Sequence, residues 1–404
     1  MASVMQIWPD DYQSLWDIKY HDYVIEVKWS KIPFEDYKRL AQEYAQCGHL
    51  IFENVIESGH NNVKSDMWFF CGIFLLRQSM ELGLKALICR VCNRKNEIQK
   101  NFKDCCHDLW KLFLRYSEKG ENYISSDEKQ WLIHYLASIE EVDEKSDMFR
   151  FPFEDAFLAQ YRDKFLNNIS VANNMEQAYH LIKKCINCGT YDHDFQFEAE
   201  WSPEFLILAS HGIGNCYLCE PVSDHGFHTK ITGYIQAADF IFSNCEKNHL
   251  GERLYPLIFL LRNAIELCLK RLFYASVDNG VTRHVFLSKR RSHLLKKDLW
   301  KNVRPMIQHY ASESDADLKI IDIVEDQILE LDALDKNGDC FRYPTTYSLE
   351  YRCNDREFDV KNVYEYMSAV INFLEGCDSM LDVISDFESE MRSYYSDCYD
   401  YYDY

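Results

Sequence analysis

Eight of the twelve residues between Phe74 and Lys85 recur, in the same order and spacing, between Phe259 and Lys270. Phe74, Leu75, Leu76, Arg77, Glu81, Leu82, Leu84 and Lys85 return as Phe259, Leu260, Leu261, Arg262, Glu266, Leu267, Leu269 and Lys270. Other markers repeat around this block. Ile51, Phe52 and Asn54 match Ile241, Phe242 and Asn244, and Phe149, Arg150 and Pro152 match Phe341, Arg342 and Pro344. His107 lies 22 residues after Lys85, and His293 lies 23 after Lys270. Markers that keep their order and nearly their spacing over about 160 residues indicate a duplicated domain. The duplication sets the fold problem, because one solution must serve both copies.

That solution is helical. Residues 37–56 and 231–244 carry apolar side chains at three-to-four spacing, the period of an amphipathic helix. The repeated block continues to about Val91 and Tyr274 and is apolar over most of its circumference, which places it at the centre of each copy. A third helix is expected to start at His107 or His293. A long helix follows at 127–141 or 315–334, with Ser126 or Ser314 as its N-cap. Each long helix stops near the Arg-aromatic-Pro block, since proline does not continue a helix. Last helices are expected at 171–184 and 360–374. With only 14 Gly and 8 Pro in 404 residues, little is left for long loops. The expected fold class is all-α, as two tandem bundles of about five helices each.

The expected division is an N-terminal arm at 1–34, copy 1 at 35–185, a connector at 186–228, copy 2 at 229–388 and an acidic tail at 389–404. Residues 20–29 of the arm alternate in part like a short strand, and the connector reads as irregular. The tail is low-complexity and without apolar period, so it is expected to be exposed and mobile. The longest apolar run, from Met67 to Leu76, is half the roughly 20 residues a membrane span needs. No basic segment followed by an apolar one opens the chain. Many of the 16 Cys lie in apolar stretches, where thiols serve as small hydrophobes, and cytoplasm is the expected compartment. Cys185 with Cys188 and Cys216 with Cys219 have zinc-site spacing, but so many cysteines produce such pairs by chance, and no metal or cofactor is expected. With 44 basic and 65 acidic residues, a net charge of −21 argues against a surface that coats nucleic acid at large.

Several residues are candidates for chemistry. Arg77, Glu81 and Lys85, like Arg262, Glu266 and Lys270, lie four residues apart on one helix face. Such charges in an apolar helix must either pair with each other or line a pocket for an anion. His107 and His293 fit helix capping or general-base work. Arg150 and Arg342, between aromatic residues, fit stacking inside the protein or contact with a phosphate. From Arg283 to Arg304, eight basic residues, among them Arg290 and Arg291, meet one acid, Asp298. That stretch suits either a phosphate site or a solvated helix face.

Taken together, Arg-x3-Glu-Leu-x-Leu-Lys, then His, then Arg-aromatic-Pro resembles the HEPN superfamily (higher eukaryotes and prokaryotes nucleotide-binding domains) in its bacterial branch. The resemblance covers both copies. It implies small all-α bundles that pair two-fold, so the tandem copies would form a pseudo-dimer. It also implies work in bacterial phage-defence, stress or toxin–antitoxin modules, with RNA, a nucleotide or a partner protein as ligand, and a homodimer as a further state. Many members are metal-independent endoribonucleases that use Arg and His at the paired cleft. The sequence departs from their pattern of Arg and His separated by four to six residues. Leu267 stands where Arg262 would need its histidine, and only Arg304 with His309 fits the spacing. Whether the chain is an enzyme stays open. The expected catalytic set is Arg262, His293 and His309. Arg77, Lys85, His107, Arg150, Lys270, Arg290, Arg291 and Arg342 are the expected ligand contacts. The alternative is a noncatalytic HEPN-like scaffold that acts through protein partners. Tyr399, Tyr401, Tyr402 and Tyr404 in the tail are the expected regulatory sites.

Overall fold

The computed structural model describes residues 7–400, except 60, 122, 191–194, 211, 219–225, 278–280, 315 and 354, and no side chains are described for 283, 287 and 395–400. Helices dominate. The elements run β1 (Val24–Val27), α1 (Pro33–Glu57), α2 (Phe69–Val91), α3 (Lys95–Cys105), α4 (Leu109–Ser117), α5 (Ser126–Asp143) and α6 (Asp155–Tyr161). Then come β2 (Phe165–Leu166), α7 (Asn168–Ile186), β3 (Leu208–Ala209), β4 (Cys216–Tyr217), α8 (Phe227–Ser243) and α9 (Leu254–Ala275). The remainder is α10 (Arg283–Lys289), α11 (Lys301–Glu313), α12 (Lys319–Leu334), β5 (Arg356–Asp359) and α13 (Val360–Asp400). Single π-helical turns at Lys64–Trp68 and Leu295–Trp300 lead into α2 and α11. Among the described residues, no helix is long and apolar enough to cross a membrane.

The chain divides into two compact units that cut across the second copy. One holds residues 18–264 and 337–363, and the other holds 1–17, 265–336 and 364–404. The first unit is built on α2, whose residues are buried from Phe69 to Ile88 without a break. The continuous apolar character of the repeated block has this consequence, because a helix that is apolar all round can only be a core helix. Helices α1, α4, α7 and α8 pack on it. Its approach to α1 is close: a Cβ on Gly72 would stand 2.5 Å from the Phe52 ring, and one on Gly48 would stand 2.9 Å from Leu76 Cγ. The short strands serve as ties. β1 pairs antiparallel with β5, from Val24 opposite Asp359 to Val27 opposite Arg356. β2 lies between β3 and β4, which fastens the connector to the start of α7.

The second unit combines the latter part of α9 with α10, α11, α12 and most of α13. Its core includes Leu267, Leu299, Trp300, Val303, Ile328, Tyr366 and Leu374, all within 1% of full burial. The Glu330 carboxylate ties the arm to it. It accepts from Ser14 Oγ at 2.7 Å, from the Leu15 N–H at 2.9 Å and from Tyr366 Oη at 2.7 Å.

Several sequence expectations are corrected in detail. Each repeat has a helix before its histidine, α3 or α10, that the reading passed over, and α6 is a further one. There are more than five helices per copy. Asp108, not His107, caps α4, through Oδ1 accepting from the Lys111 N–H at 2.8 Å. Ser125, not Ser126, caps α5, in a capping box with Glu128. Ser314 does not start α12. It ends α11, with its hydroxyl donating to the Tyr310 carbonyl at 2.9 Å, and α12 begins four residues later than expected, at Lys319. The tail, expected to be low-complexity, exposed and mobile, continues α13 as helix to Asp400, and its described side chains, from 389 to 394, are mostly exposed.

Candidate functional site

In the first unit, each copy's Arg-aromatic-Pro block is held by the other copy's central helices. Arg342 donates through Nε and Nη2 to Gln78 Oε1, at 3.1 and 2.9 Å, and Gln78 Nε2 donates back to the Arg342 carbonyl at 3.0 Å. Its Nη2 also reaches Ser146 Oγ at 3.1 Å. The counterpart is Arg150, with Nη2 to Asn263 Oδ1 at 3.4 Å and Asn263 Nδ2 to the Arg150 carbonyl at 3.2 Å. The tyrosines behave alike. Tyr44 Oη donates to the Phe341 carbonyl at 3.0 Å, and Tyr234 Oη to the Phe149 carbonyl at 3.4 Å. Phe74 and Phe259, equivalent positions of the two repeated blocks, stack at 4.7 Å with planes 16° apart. Gln78 and Asn263 are thus equivalent amides that join the copies, and each directly follows the repeated arginine.

This exchange brings Tyr343 of copy 2 into a charged cluster of copy 1. Arg77 is fully buried, with Nη1 on Glu81 Oε2 at 3.0 Å and Nε on Asp143 Oδ2 at 2.9 Å. Its Nη2 donates to the carbonyls of His107 and Asp143, at 2.9 and 3.1 Å. Glu81 Oε1 accepts from Lys85 Nζ at 2.7 Å and from Tyr343 Oη at 2.7 Å, and lies 3.0 Å from His107 Nδ1. The Lys85 ammonium also sits 4.3 Å from the centre of the Tyr343 ring, a cation–π contact. Every buried charge here has a counter-charge or a hydrogen bond, which is the condition for keeping charges in an apolar core.

The electrostatics follow from those contacts. Against the cost of burial, Lys85, His107 and Arg77 hold the Glu81 carboxyl well below its ordinary range, so it is ionised. Burial lowers the Lys85 ammonium from its usual value, with Glu81 opposing the shift. Burial also lowers His107, again with Glu81 opposing. A neutral imidazole facing a carboxylate must put its proton on the facing nitrogen, here Nδ1, which leaves Nε2 as an acceptor. The His107 side chain is 27% exposed while Glu81 beneath it has no exposure, so the imidazole is the part of the cluster that meets solvent.

The second unit repeats the arrangement. Glu266 Oε1 takes Lys270 Nζ at 2.8 Å and His293 Nδ1 at 2.7 Å, and the His293 side chain is 39% exposed. Copy 1 carries Phe151 at the place of Tyr343, so the phenol hydroxyl is a feature of one site by sequence.

The expected residues therefore separate into groups. Arg77, Lys85 and His107 come together through Glu81, as do Lys270 and His293 through Glu266. Arg150, Arg262 and Arg342 are at most 5% exposed, and Arg150 and Arg342 are committed to stacking and amide contacts within the protein. Neither histidine caps a helix. Arg304 and His309 do not work as a pair, because a separation of five residues turns them about 140° apart on α11. Arg304 is held by Asp322 and Glu325, and His309 lies on the exposed side, 3.5 Å from Glu313. In the basic stretch, Lys289 pairs with Asp298 and Lys296 with Glu325, while Arg290 is half-buried and Arg291 exposed. The Tyr399 side chain and all of Tyr401, Tyr402 and Tyr404 lie outside the described residues, as does Cys219 of the zinc pattern. Among the described residues, no group of three or more His, Cys, Asp or Glu could hold a metal ion.

The sequence reading missed Asp143, Tyr343 and the joining amides. Asp143 was findable: it stands seven residues before Arg150, as Asp335 stands seven before Arg342. Gln78 and Asn263 carried a signal too, as amides inside an otherwise apolar face. Nothing in the sequence pointed to the exchange of Tyr343 between copies. The chain matches no known protein family, no curated protein and no solved structure.

Proposed function

We propose that the chain is a HEPN-like protein of a bacterial defence or stress module whose tandem copies act as a fused pair, and that it binds RNA or a nucleotide at His107 and His293. One observation carries this reading: the same dyad is built twice, a partly exposed imidazole whose Nδ1 is anchored on a fully buried glutamate beside a lysine. A dyad of this kind fixes the ring and leaves Nε2 to accept a hydrogen bond from a ribose hydroxyl. The cluster supports binding better than cleavage. A 2′-hydroxyl attack needs an arginine or similar donor at the phosphorane, and Arg77, Arg150, Arg262 and Arg342 are all buried.

The test is fluorescence anisotropy with labelled single-stranded RNA and with a nucleotide analogue, on the full chain and on His107→Ala and His293→Ala. The expected result is saturable binding, weakened by about tenfold or more in each variant, with total RNA left intact on expression. Binding that neither substitution changes rejects the site. A second reading, a scaffold that works through protein partners, is favoured by the same burial of the four arginines. It predicts no RNA or nucleotide binding at all.

A further inference from the structure

The second half of α13 carries a pattern that the dyads leave unused. Val370, Phe373, Cys377, Met380, Ile384, Phe387, Met391, Tyr394 and Cys398 follow one another at alternating intervals of three and four residues. That is the seam of a coiled coil, in which apolar residues recur every 3.5 positions and face a second helix. The first three, Val370, Phe373 and Cys377, are buried in the core of their own unit. Beyond them the seam comes to the surface, with Met380, Ile384 and Met391 half-buried and Phe387 and Tyr394 exposed. Residues 385–390 are all exposed, a run longer than one helical turn, so no part of the described chain covers this stretch on any side. Phe387 is 62% exposed, and Val383, which flanks the seam, is 68% exposed. Large apolar side chains aligned on a bare helix mark a binding face.

Charge decides what fits. From Asp382 to Asp400 the helix has six acids and one base, Arg392, which already pairs with Glu388 at 3.0 Å. Glu388 and Glu390 border the seam beside Phe387 and Met391, at the positions that set partner choice in coiled coils. A second copy of the same helix would bring no cation to them and would add like charge. Three cations of this chain's basic stretch are already engaged, Lys289 on Asp298 and both Lys296 and Arg304 on Glu325. We infer that the exposed half of α13 is a docking helix for another protein, whose own helix presents an apolar seam flanked by lysine or arginine. The acids then act as attraction toward the correct partner and as repulsion against self-pairing.

Two synthetic three-heptad helices test this, both with Ile and Leu along the seam, one flanked by Lys and the other by Glu. Each is titrated into the full chain by anisotropy, and the chain's molar mass is measured by light scattering. The expected result is binding of the Lys helix at least about tenfold tighter than the Glu helix, weakened by added salt. Phe387→Asp, at an exposed site that leaves the fold intact by circular dichroism, abolishes it. The joint change Glu388→Lys and Glu390→Lys reverses the preference. Equal binding of the two helices overturns the inference, as does binding of neither. A chain that is dimeric and that Phe387→Asp makes monomeric also overturns it, in favour of a second copy.

Discussion

Tyr343→Phe is the sharpest probe of the exchange between copies, because it removes one oxygen and nothing else. Tyr343 Oη donates to Glu81 Oε1 at 2.7 Å and lies 3.1 Å from His107 Nδ1. The ring stays, so packing and the contact with Lys85 are kept. What is lost is a hydrogen bond to an ionised, fully buried carboxylate, a class worth about 1.5–3 kcal/mol. Glu81 retains Lys85, Arg77 and His107, so the loss should stay within that range and not approach the cost of an orphaned charge. Urea unfolding would report it as a lower midpoint at unchanged slope. The same removal leaves the Glu81 charge less satisfied, so the imidazolium form of His107 gains, and its pKa rises on titration followed by NMR. Glu81→Gln closes a cycle. Alone it strands Lys85, while Arg77 keeps Asp143, and should cost about 3–5 kcal/mol. In that background Tyr343→Phe should cost clearly less than in the native chain, since its charged acceptor is gone. A native-background loss below about 0.5 kcal/mol, or an equal loss in both backgrounds, refutes the reasoning.

Other outcomes follow from the same geometry. Arg342→Lys removes the forked contact with Gln78 and Ser146 and should destabilise by about 1–3 kcal/mol, with a non-zero coupling to Gln78→Leu in a double-mutant cycle. His107 has a folded pKa below its unfolded value of about 6.5, so the unfolded chain binds the proton more tightly. Its contribution is therefore full above about pH 6.5 and is lost as pH falls through the folded value, and His107→Gln should flatten the urea midpoint across that window. Ser125→Ala should cost about 1 kcal/mol through loss of the α5 capping box, whereas Ser126→Ala, one residue on, should stay within about 0.5 kcal/mol in thermal unfolding.

The cap at Ser125 illustrates where sequence reading loses precision. Ser125 and Ser126 are both good caps by type, and only the backbone angles at Ser125 choose between them. The helices before His107 and His293 were missed for a related reason. Short amphipathic helices carry few turns of periodic signal, and α10 has only seven residues. The continuation of α13 through the acidic tail shows the opposite error. Serines, aspartates and tyrosines suggested a low-complexity, mobile end, while the three-and-four spacing from Met380 to Tyr394 was present and passed unread.

What the sequence determined by itself was the duplication, the helical class, the central place of the repeated block and the grouping of Arg77, Glu81 and Lys85 on one face. Those follow from periodicity, and periodicity is local, so it survives without a structure. Tertiary structure alone decided which of two chemically sound options each charge takes. Lys85 and Glu81 pair in the core, His107 leans on them from the surface, and Arg342 crosses to Gln78. The last of these depends on residues 264 positions apart meeting at ångström range. A charge in an apolar helix must find a partner, and sequence states that need, but only the packed chain supplies the partner's identity.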